Sequence, residues 1–187
     1  IIFTDQTGHT FVLKQVKPSA SPWDKYSLVR ETVGSRIAEE MNLPMDRVRM
    51  IPPDMRFDLK PYPHLPATLH TLVQGQAGTP VNIQQNSKSG GLNNSVIKNM
   101  SKTPDLAQIA ALDTFLGNND RHNWNVFKSG DRYTGIDMGD IFHQRLVKDA
   151  INQIEGMKKR GVRFSQKELE GLRIYRDTLR SLVQNYP

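Results

Sequence analysis

The sequence contains no cysteine among its 187 residues. Disulfide bonds and thiolate metal sites are therefore excluded, and the composition suits a reducing compartment. No apolar run approaches the roughly 20 residues that a helix needs to cross a bilayer. The first residues also lack the basic region and apolar stretch of a signal peptide. Because the chain starts without methionine and inside a predicted strand, we expect it to be a fragment of a longer protein.

Acidic residues are fewer than basic ones, since 25 Lys and Arg against 19 Asp and Glu give a net charge of +6. Hydrophobic residues make up 37% of the chain and charged residues 24%, a composition typical of a globular domain. A basic excess favours anionic partners such as nucleotides, polyphosphates or acidic membranes. Most of the excess lies between residues 158 and 180. Few aromatic residues are interleaved there, so we disfavour a nucleic-acid partner.

The first 76 residues predict a small α+β lobe. Two β-rich runs around a turn at Gly8 predict a hairpin. A helix is predicted over residues 25–44, with one apolar face that packs on the lobe. The residues of that face are Val29, Val33, Ile37 and Met41. Further short strands are predicted over residues 47–51, 55–59 and 67–73.

The remainder, residues 77–187, predicts a mostly helical lobe. Residues 74–99 are rich in Gly, Asn, Gln and Ser, which predicts a linker or mobile loop. A helix follows, with Thr103 as N-cap, a proline at its first position and Gly117 just past its end. Two more helices finish the chain, and the last begins with a capping box from Ser165 to Glu168.

Three polar side chains stand out in the segment 118–140. A predicted hairpin with strands 125–128 and 133–137 brings Asn125, at the start of one strand, near Asp137, at the end of the other. Two oxygen ligands of this kind suit Mg²⁺, which takes few protein ligands and completes its shell with water and phosphate. Asp120, one short loop away, could accept a hydroxyl proton or orient a nucleophile.

A simpler interpretation of this segment is a set of ordinary turns. Asp, Asn and Gly populate turns because they tolerate turn geometry, and an Asp followed five residues later by Asn occurs often by chance. The joint pattern of helix, Asp-Arg-His loop, hairpin and apolar-Asp-x-Gly is more specific. For His122 alone, a role in shaping the loop and a direct chemical role both stay open.

The stretch GNNDRHNWN followed by IDMG resembles the phosphoinositide 3-/4-kinases and related atypical kinases, which carry DRHxxN and then IDxG. HipA-type bacterial kinases and secreted bacterial effector kinases are similar in outline. The resemblance implies an α+β, two-lobed, minimal kinase-like fold. It also implies ATP and Mg²⁺ (or Mn²⁺) as cofactors, and a cytoplasmic protein or one secreted into a host cytosol. We expect phosphate transfer to a protein hydroxyl; a phosphoinositide acceptor, a non-catalytic nucleotide-binding module and nucleotidyl transfer are the alternatives.

The resemblance further implies a strand lysine paired with a helix glutamate. Lys14 lies inside an apolar β-run, and Glu31 lies about 200° around the helix from Val29, off its apolar face. Each residue alone would normally face solvent, but their order in the chain matches the resemblance. Backbone groups near Leu72, Val73 and Gln74 are expected to meet adenine. No glycine-rich loop precedes Lys14, so whether a phosphate-covering loop lies upstream, is replaced or is absent stays open.

The basic C-terminal segment has two interpretations. It is either a solvated helical face or a site for an inositol polyphosphate, a phosphoinositide head group or an acidic membrane lipid. The candidate residues for such a site are Lys158, Lys159, Arg160, Arg163, Arg173, Arg176 and Arg180.

Overall fold

The computed structural model describes residues 1–52, 65–77, 92–143 and 147–187. Within them, an antiparallel four-stranded sheet has the strand order β1-β2-β4-β3, and a second sheet has the order β5-β6-β7. The strands of the first sheet are β1 (Ile2–Thr4), β2 (Thr10–Gln15), β3 (Val48–Met50) and β4 (Ala67–Thr71). Those of the second are β5 (Gln76–Ala77), β6 (Val126–Ser129) and β7 (Arg132–Gly135). Both predicted hairpins are present, whereas the strand predicted over 55–59 lies outside the described residues.

The described helices are α1 (Pro22–Lys25), α2 (Ser27–Glu40), α3 (Asn94–Met100), α4 (Pro104–Leu116), α5 (Val147–Lys159) and α6 (Gln166–Asn185). The predicted caps are confirmed. The Thr103 side chain accepts a hydrogen bond from Leu106 N–H, and Gly117 ends α4 in the left-handed conformation at φ 65°. The capping box between Ser165 and Glu168 is present at the start of α6.

The prediction of a linker over residues 74–99 is wrong at both of its described ends. Residues 76–77 form β5, which pairs with β6, and residues 94–100 form α3. An Asn93 side chain caps α3, and Val96, Ile97 and Met100 bury its inner face. The expected boundary between residues 76 and 77 falls inside β5 and stays a prediction.

The main hydrophobic core lies in the helical C-terminal part. Helix α4 is buried on all sides, with every residue from Leu106 to Leu116 except Gln108 buried. It packs along α6, where the Thr114 hydroxyl and the Tyr175 hydroxyl are 2.8 Å apart. Burying α4 fixes the position of the polar loop that follows Gly117.

The predicted packing face of α2 is wrong. Val29 and Val33 are 45% and 39% exposed, whereas Leu28, Glu31 and Ala38 on the other face are buried. A spacing of four residues drifts about 40° per step on a helix of 3.6 residues per turn. The four apolar residues therefore do not form one face. Only the last two, at positions 37 and 41, pack against the core.

Gly75 lies where the chain leaves the first sheet for the second. Its φ is 138°, and a Cβ added there would lie 2.4 Å from the backbone oxygen of Lys128. Only glycine fits such a conformation and such a close backbone approach.

No helix among the described residues is long and apolar enough to cross a membrane.

Candidate active site

Lys14 lies in β2, between β1 and β4, and its side chain extends to two carboxylates from different parts of the chain. Its Nζ donates a hydrogen bond to Glu31 Oε1, as the resemblance predicted. The same Nζ is 3.4 Å from Asp137 Oδ1. Burial alone would lower the pKa of Lys14, but the two carboxylates outweigh it and raise the pKa. Lys14 is therefore an ammonium ion held between the two carboxylates.

Glu31 is completely buried on the inner face of α2. One carboxylate oxygen faces Lys14, and the other, Oε2, is 3.3 Å from Nε2 of His70. Burial raises the pKa of Glu31, and the nearby His70 and Lys14 only partly oppose that rise. The ionised form of Glu31 therefore depends on the cations beside it.

Asp137 follows β7 in the left-handed region, at φ 56°. This conformation is uncommon outside glycine but is tolerated best by Asn and Asp. Burial would raise the pKa of Asp137, but the neighbouring Glu31 side chain, the Lys14 ammonium and the N–H of Gly139 lower it to about 2. Its carboxylate is thus ionised over the whole physiological range and is available to a cation.

Arg121 anchors the polar loop, and the sequence analysis gave it no role beyond its place in the motif. Its side chain is only 1% exposed and bonds both carboxylate oxygens of Asp113 on α4, at 2.8 and 3.0 Å. It also donates to the backbone oxygens of Asn125 and Ile136. A single buried guanidinium therefore ties α4, the loop and the end of β7 together.

The β6–β7 hairpin places Asn125 and Asp137 at the same end of its two strands. Ile136 N–H donates to the backbone oxygen of Asn125 at 3.0 Å, which places Asn125 beside the residue that precedes Asp137. The Asn125 side-chain Nδ2 donates to the backbone oxygen of Asp120 at 2.9 Å. This contact leaves the amide oxygen as the group that a cation would meet.

Asp120 presents its carboxylate to solvent, with 54% of its side chain exposed. Its backbone is held by Asn125 and by Asn118, whose Oδ1 accepts the Asp120 N–H at 3.0 Å. His122 Nε2 is 3.8 Å from Asp120 Oδ2. The loop thus fixes the backbone of Asp120 and leaves its side chain accessible to an incoming acceptor.

A cavity of about 240 Å³ opens beside Lys14 and Asp137. It is lined by Val12, Leu13, Lys14, Asp46, His70, Thr71, Leu72, Val73, Phe127, Ile136 and Asp137. Leu72 and Val73 border it, whereas Gln74 lines a neighbouring open groove. Contact of these residues with adenine stays a prediction. The N–H of Leu72 already donates to Thr10 at 3.1 Å, so a nucleotide base would find its donor elsewhere on this strand end.

His70 and Asp46 are site residues that the sequence analysis missed. His70 Nδ1 is 2.9 Å from Asp46 Oδ2, and both residues are buried. Burial would lower the pKa of His70, but the contacts with Asp46 and Glu31 raise it to about 9. A histidine inside a predicted strand was the available signal, but its partners are far away in sequence.

Arg30 is a third missed residue and holds the segment after Asp137. Its Nε donates to the Gly139 backbone oxygen at 2.6 Å, and its guanidinium lies 3.8 Å from the Trp23 ring centroid. Trp23 Nε1 in turn donates to Asp140 Oδ1 at 3.4 Å. The start of α2 and the Asp137 segment are therefore fastened to each other.

The basic C-terminal segment is partly neutralised by its own helix. Arg173 bonds Glu170 at 2.9 and 2.6 Å, and Arg176 bonds Asp177 at 3.1 Å. The four candidates at positions 158, 159, 160 and 163 are exposed. An anion site in this segment stays a prediction.

No protein-family model matches the chain, and no curated protein matches its sequence. Among solved structures, the proinflammatory kinase CtkA of Helicobacter pylori is similar, with a TM-score of 0.50 and 15% identity over 100% of this chain and 82% of that chain. The Rio2 kinase of Chaetomium thermophilum, in a complex with ADP/Mg²⁺ and phosphoaspartate, has a TM-score of 0.43 and 11% identity over 98% and 67%. HipA of Shewanella oneidensis, in a complex with HipB and operator DNA, has a TM-score of 0.42 and 11% identity over 99% and 62%.

The likeness to CtkA establishes the class of fold. The chain has a minimal protein-kinase-like fold of the α+β class, with a β-rich N-terminal part and a helical C-terminal part. The closer resemblance to phosphoinositide kinases stays a prediction.

Proposed function

We propose that the protein is an ATP- and Mg²⁺-dependent phosphotransferase that moves the γ-phosphate to a hydroxyl group. The observation that carries this proposal is the double contact of Lys14, whose ammonium meets Glu31 from α2 and Asp137 from the end of β7. These groups border a cavity large enough to admit part of a nucleotide. The same lysine, glutamate and aspartate arrangement positions phosphates in kinases.

Asn125 and Asp137 are the residues that would hold the metal. The described residues contain no group of three or more His, Cys, Asp or Glu that could form a complete cage. Two oxygen donors fit Mg²⁺ all the same, because it takes the rest of its shell from water and phosphate. When bound, Mg²⁺ neutralises charge on the phosphates.

The remaining roles follow from exposure and charge. Lys14 binds phosphate oxygens as a cation, and Glu31 restricts where its Nζ can lie. Asp120 orients the acceptor hydroxyl or accepts its proton, for which an accessible carboxylate on a fixed backbone is suited. The end of β4 near Leu72 and Val73 borders the base.

We propose a protein hydroxyl as the acceptor, because the loop motif resembles those of small bacterial kinases, which often act on proteins. A cytoplasmic location or delivery into a host cytosol belongs to the same proposal. A phosphoinositide acceptor, and activation by an inositol polyphosphate or acidic membrane lipid, rest on the sequence resemblance and the exposed cations near residue 160.

A non-catalytic nucleotide-binding module is the second candidate. It is favoured by the β1–β2 turn, which has one glycine, Gly8, and is closed on itself by hydrogen bonds from the N–H groups of Thr7 and His9 to Asp5, both at 2.9 Å. Such a turn offers few free N–H groups to cover phosphates.

The test is incubation of the purified chain with γ-labelled ATP and Mg²⁺, alone and with cell extract, lipid vesicles or inositol phosphates. We expect labelled product with the parent and none with Asp137→Ala. Asp131→Ala is the matched control, because Asp131 is an exposed aspartate in the turn of the same hairpin. Tight ATP binding without transfer to any acceptor would favour the non-catalytic module. An added AMP, seen by mass spectrometry, would instead indicate nucleotidyl transfer.

A further inference from the structure

We propose that His70 is a positioning residue that, held by Asp46, fixes the buried carboxylate of Glu31 so that Glu31 presents one oxygen to Lys14. The consequence for nucleotide binding rests on the proposed function. The contact between His70 and Glu31, and its effect on Lys14, can be tested without it.

Both ring nitrogens of His70 face acceptors. Nδ1 is 2.9 Å from Asp46 Oδ2, while Nε2 is 3.0 Å from Thr68 Oγ1 and 3.3 Å from Glu31 Oε2. Only the imidazolium form has a proton on each nitrogen. A neutral ring protonated on Nδ1 would accept the Thr68 hydroxyl at Nε2 and turn a lone pair towards Glu31 Oε2. The charged ring is the form that presents a proton to both carboxylates.

Asp46 is itself fixed to the strand that leads to Asp137. Its backbone N–H donates to the Gly135 oxygen at 2.9 Å, and its backbone oxygen accepts from the Ser35 hydroxyl at 2.9 Å. Asp46 thus links β7 to α2. The contacts run from Asp46 through His70, Glu31 and Lys14 to Asp137.

Two buried carboxylate oxygens beside His70 have no hydrogen-bond partner among the described residues: Glu31 Oε2 and Asp46 Oδ1. A buried anion without compensation is costly, so the nearby imidazolium matters to both. Asp46 and Glu31 are the acidic groups that face the ring, and together they raise the pKa of His70 to about 9 against the effect of burial. Glu31 meets His70 with one oxygen and Lys14 with the other, so the ring controls how the carboxylate is turned.

The first measurement is the reactivity of Lys14 towards acetic anhydride, read by peptide mass spectrometry in the absence of nucleotide. We expect His70→Gln to raise Lys14 labelling severalfold, because a Glu31 carboxylate that the ring no longer holds restrains the Lys14 Nζ less. His9→Gln is the matched control, because it makes the same substitution at an exposed histidine that contacts Asp5 and Thr7 in the β1–β2 turn. Equal Lys14 labelling in the parent and His70→Gln would overturn the proposal.

The second measurement is a double-mutant cycle on MgATP affinity with His70→Gln, Glu31→Gln and both together. We expect His70→Gln to weaken binding about tenfold in the parent and to have no further effect once Glu31 is replaced. Equal losses in both backgrounds would mean that His70 does not act through Glu31. If the parent binds no MgATP, the proposed function fails, and the labelling result alone decides the role of His70.

Removal of the imidazolium leaves Asp46 unpaired, so the single variant could unfold. The double variant Asp46→Asn with His70→Gln removes both charges and replaces them with amides that can bond each other. Its thermal melting is expected to stay close to that of the parent, and its Lys14 labelling is expected to rise as in His70→Gln. A folded double variant with unchanged labelling would also overturn the proposal.

Discussion

The charged residues around the cavity and those on α6 are similar in kind but differ in their exposure to water. The side chains of Arg121 and Asp113 are 1% and 7% exposed, whereas those of Arg173 and Glu170 are 57% and 51% exposed. Water and salt screen the α6 pairs, while a buried pair that loses one partner leaves an uncompensated charge. Charged residues are most concentrated in the C-terminal segment of the sequence, where each exposed pair contributes least to the stability of the fold.

Arg121→Met would test the buried side of this comparison most strongly. We expect it to lower the free energy of unfolding by about 3–5 kcal/mol, because Asp113 keeps a buried charge without its partner. Urea denaturation measures this change. Adding Asp113→Leu is expected to recover part of the loss, and a single variant as stable as the parent would contradict the assigned role of Arg121.

The pH dependence of stability tests His70. Its pKa rises from 6.5 in the unfolded chain to about 9 in the fold, so its contribution is complete below pH 6.5 and is lost as pH rises to about 9. Relative to His70→Gln, the parent should lose about 3 kcal/mol of unfolding free energy across that window. Denaturation of both proteins at several pH values gives the difference. A constant difference would mean that His70 is neutral in the fold.

Trp23→Ala tests a contact whose exposure lies between that of the buried Arg121 pair and that of the exposed α6 pairs. Trp23 is 47% exposed, yet its ring lies 3.8 Å from the Arg30 guanidinium that bonds Gly139. We expect a loss of about 1 kcal/mol in stability, together with faster amide hydrogen exchange at Gly139. Unchanged exchange there would show that Trp23 does not help to hold the Asp137 segment.

The smallest effect is expected on α6. Replacing Arg173, Arg176 and Arg180 together by alanine should leave the urea midpoint within experimental error, since exposed pairs contribute little. Binding of inositol hexakisphosphate, measured by calorimetry, tests the remaining role of these residues. If the parent binds it and the triple variant does not, the anion site is real and α6 has a function that its surface pairs do not indicate.

Local signals in the sequence predicted the parts of the fold that depend on neighbours in the chain. Thr103, Gly117 and Ser165 act within one turn of a helix, and both hairpins depend on adjacent strands. The pairing of Lys14 with Glu31 followed from a resemblance and not from periodicity, because periodicity gave α2 the wrong inner face. His70, Asp46 and Arg30 could not be assigned, since their partners lie 7 to 109 positions away in the chain. Their chemistry becomes visible only when the chain is folded.

The conformation of Gly75 has a consequence for the recognition of relatives. A side chain at this position would collide with the Lys128 backbone, so any homologue with the same crossing between its sheets must keep glycine there. We therefore expect this glycine to be retained even between homologues whose overall sequence identity is low. An aligned glycine just after the fourth strand, together with DRHxxN and IDxG, gives a stricter filter for descent than either kinase motif alone.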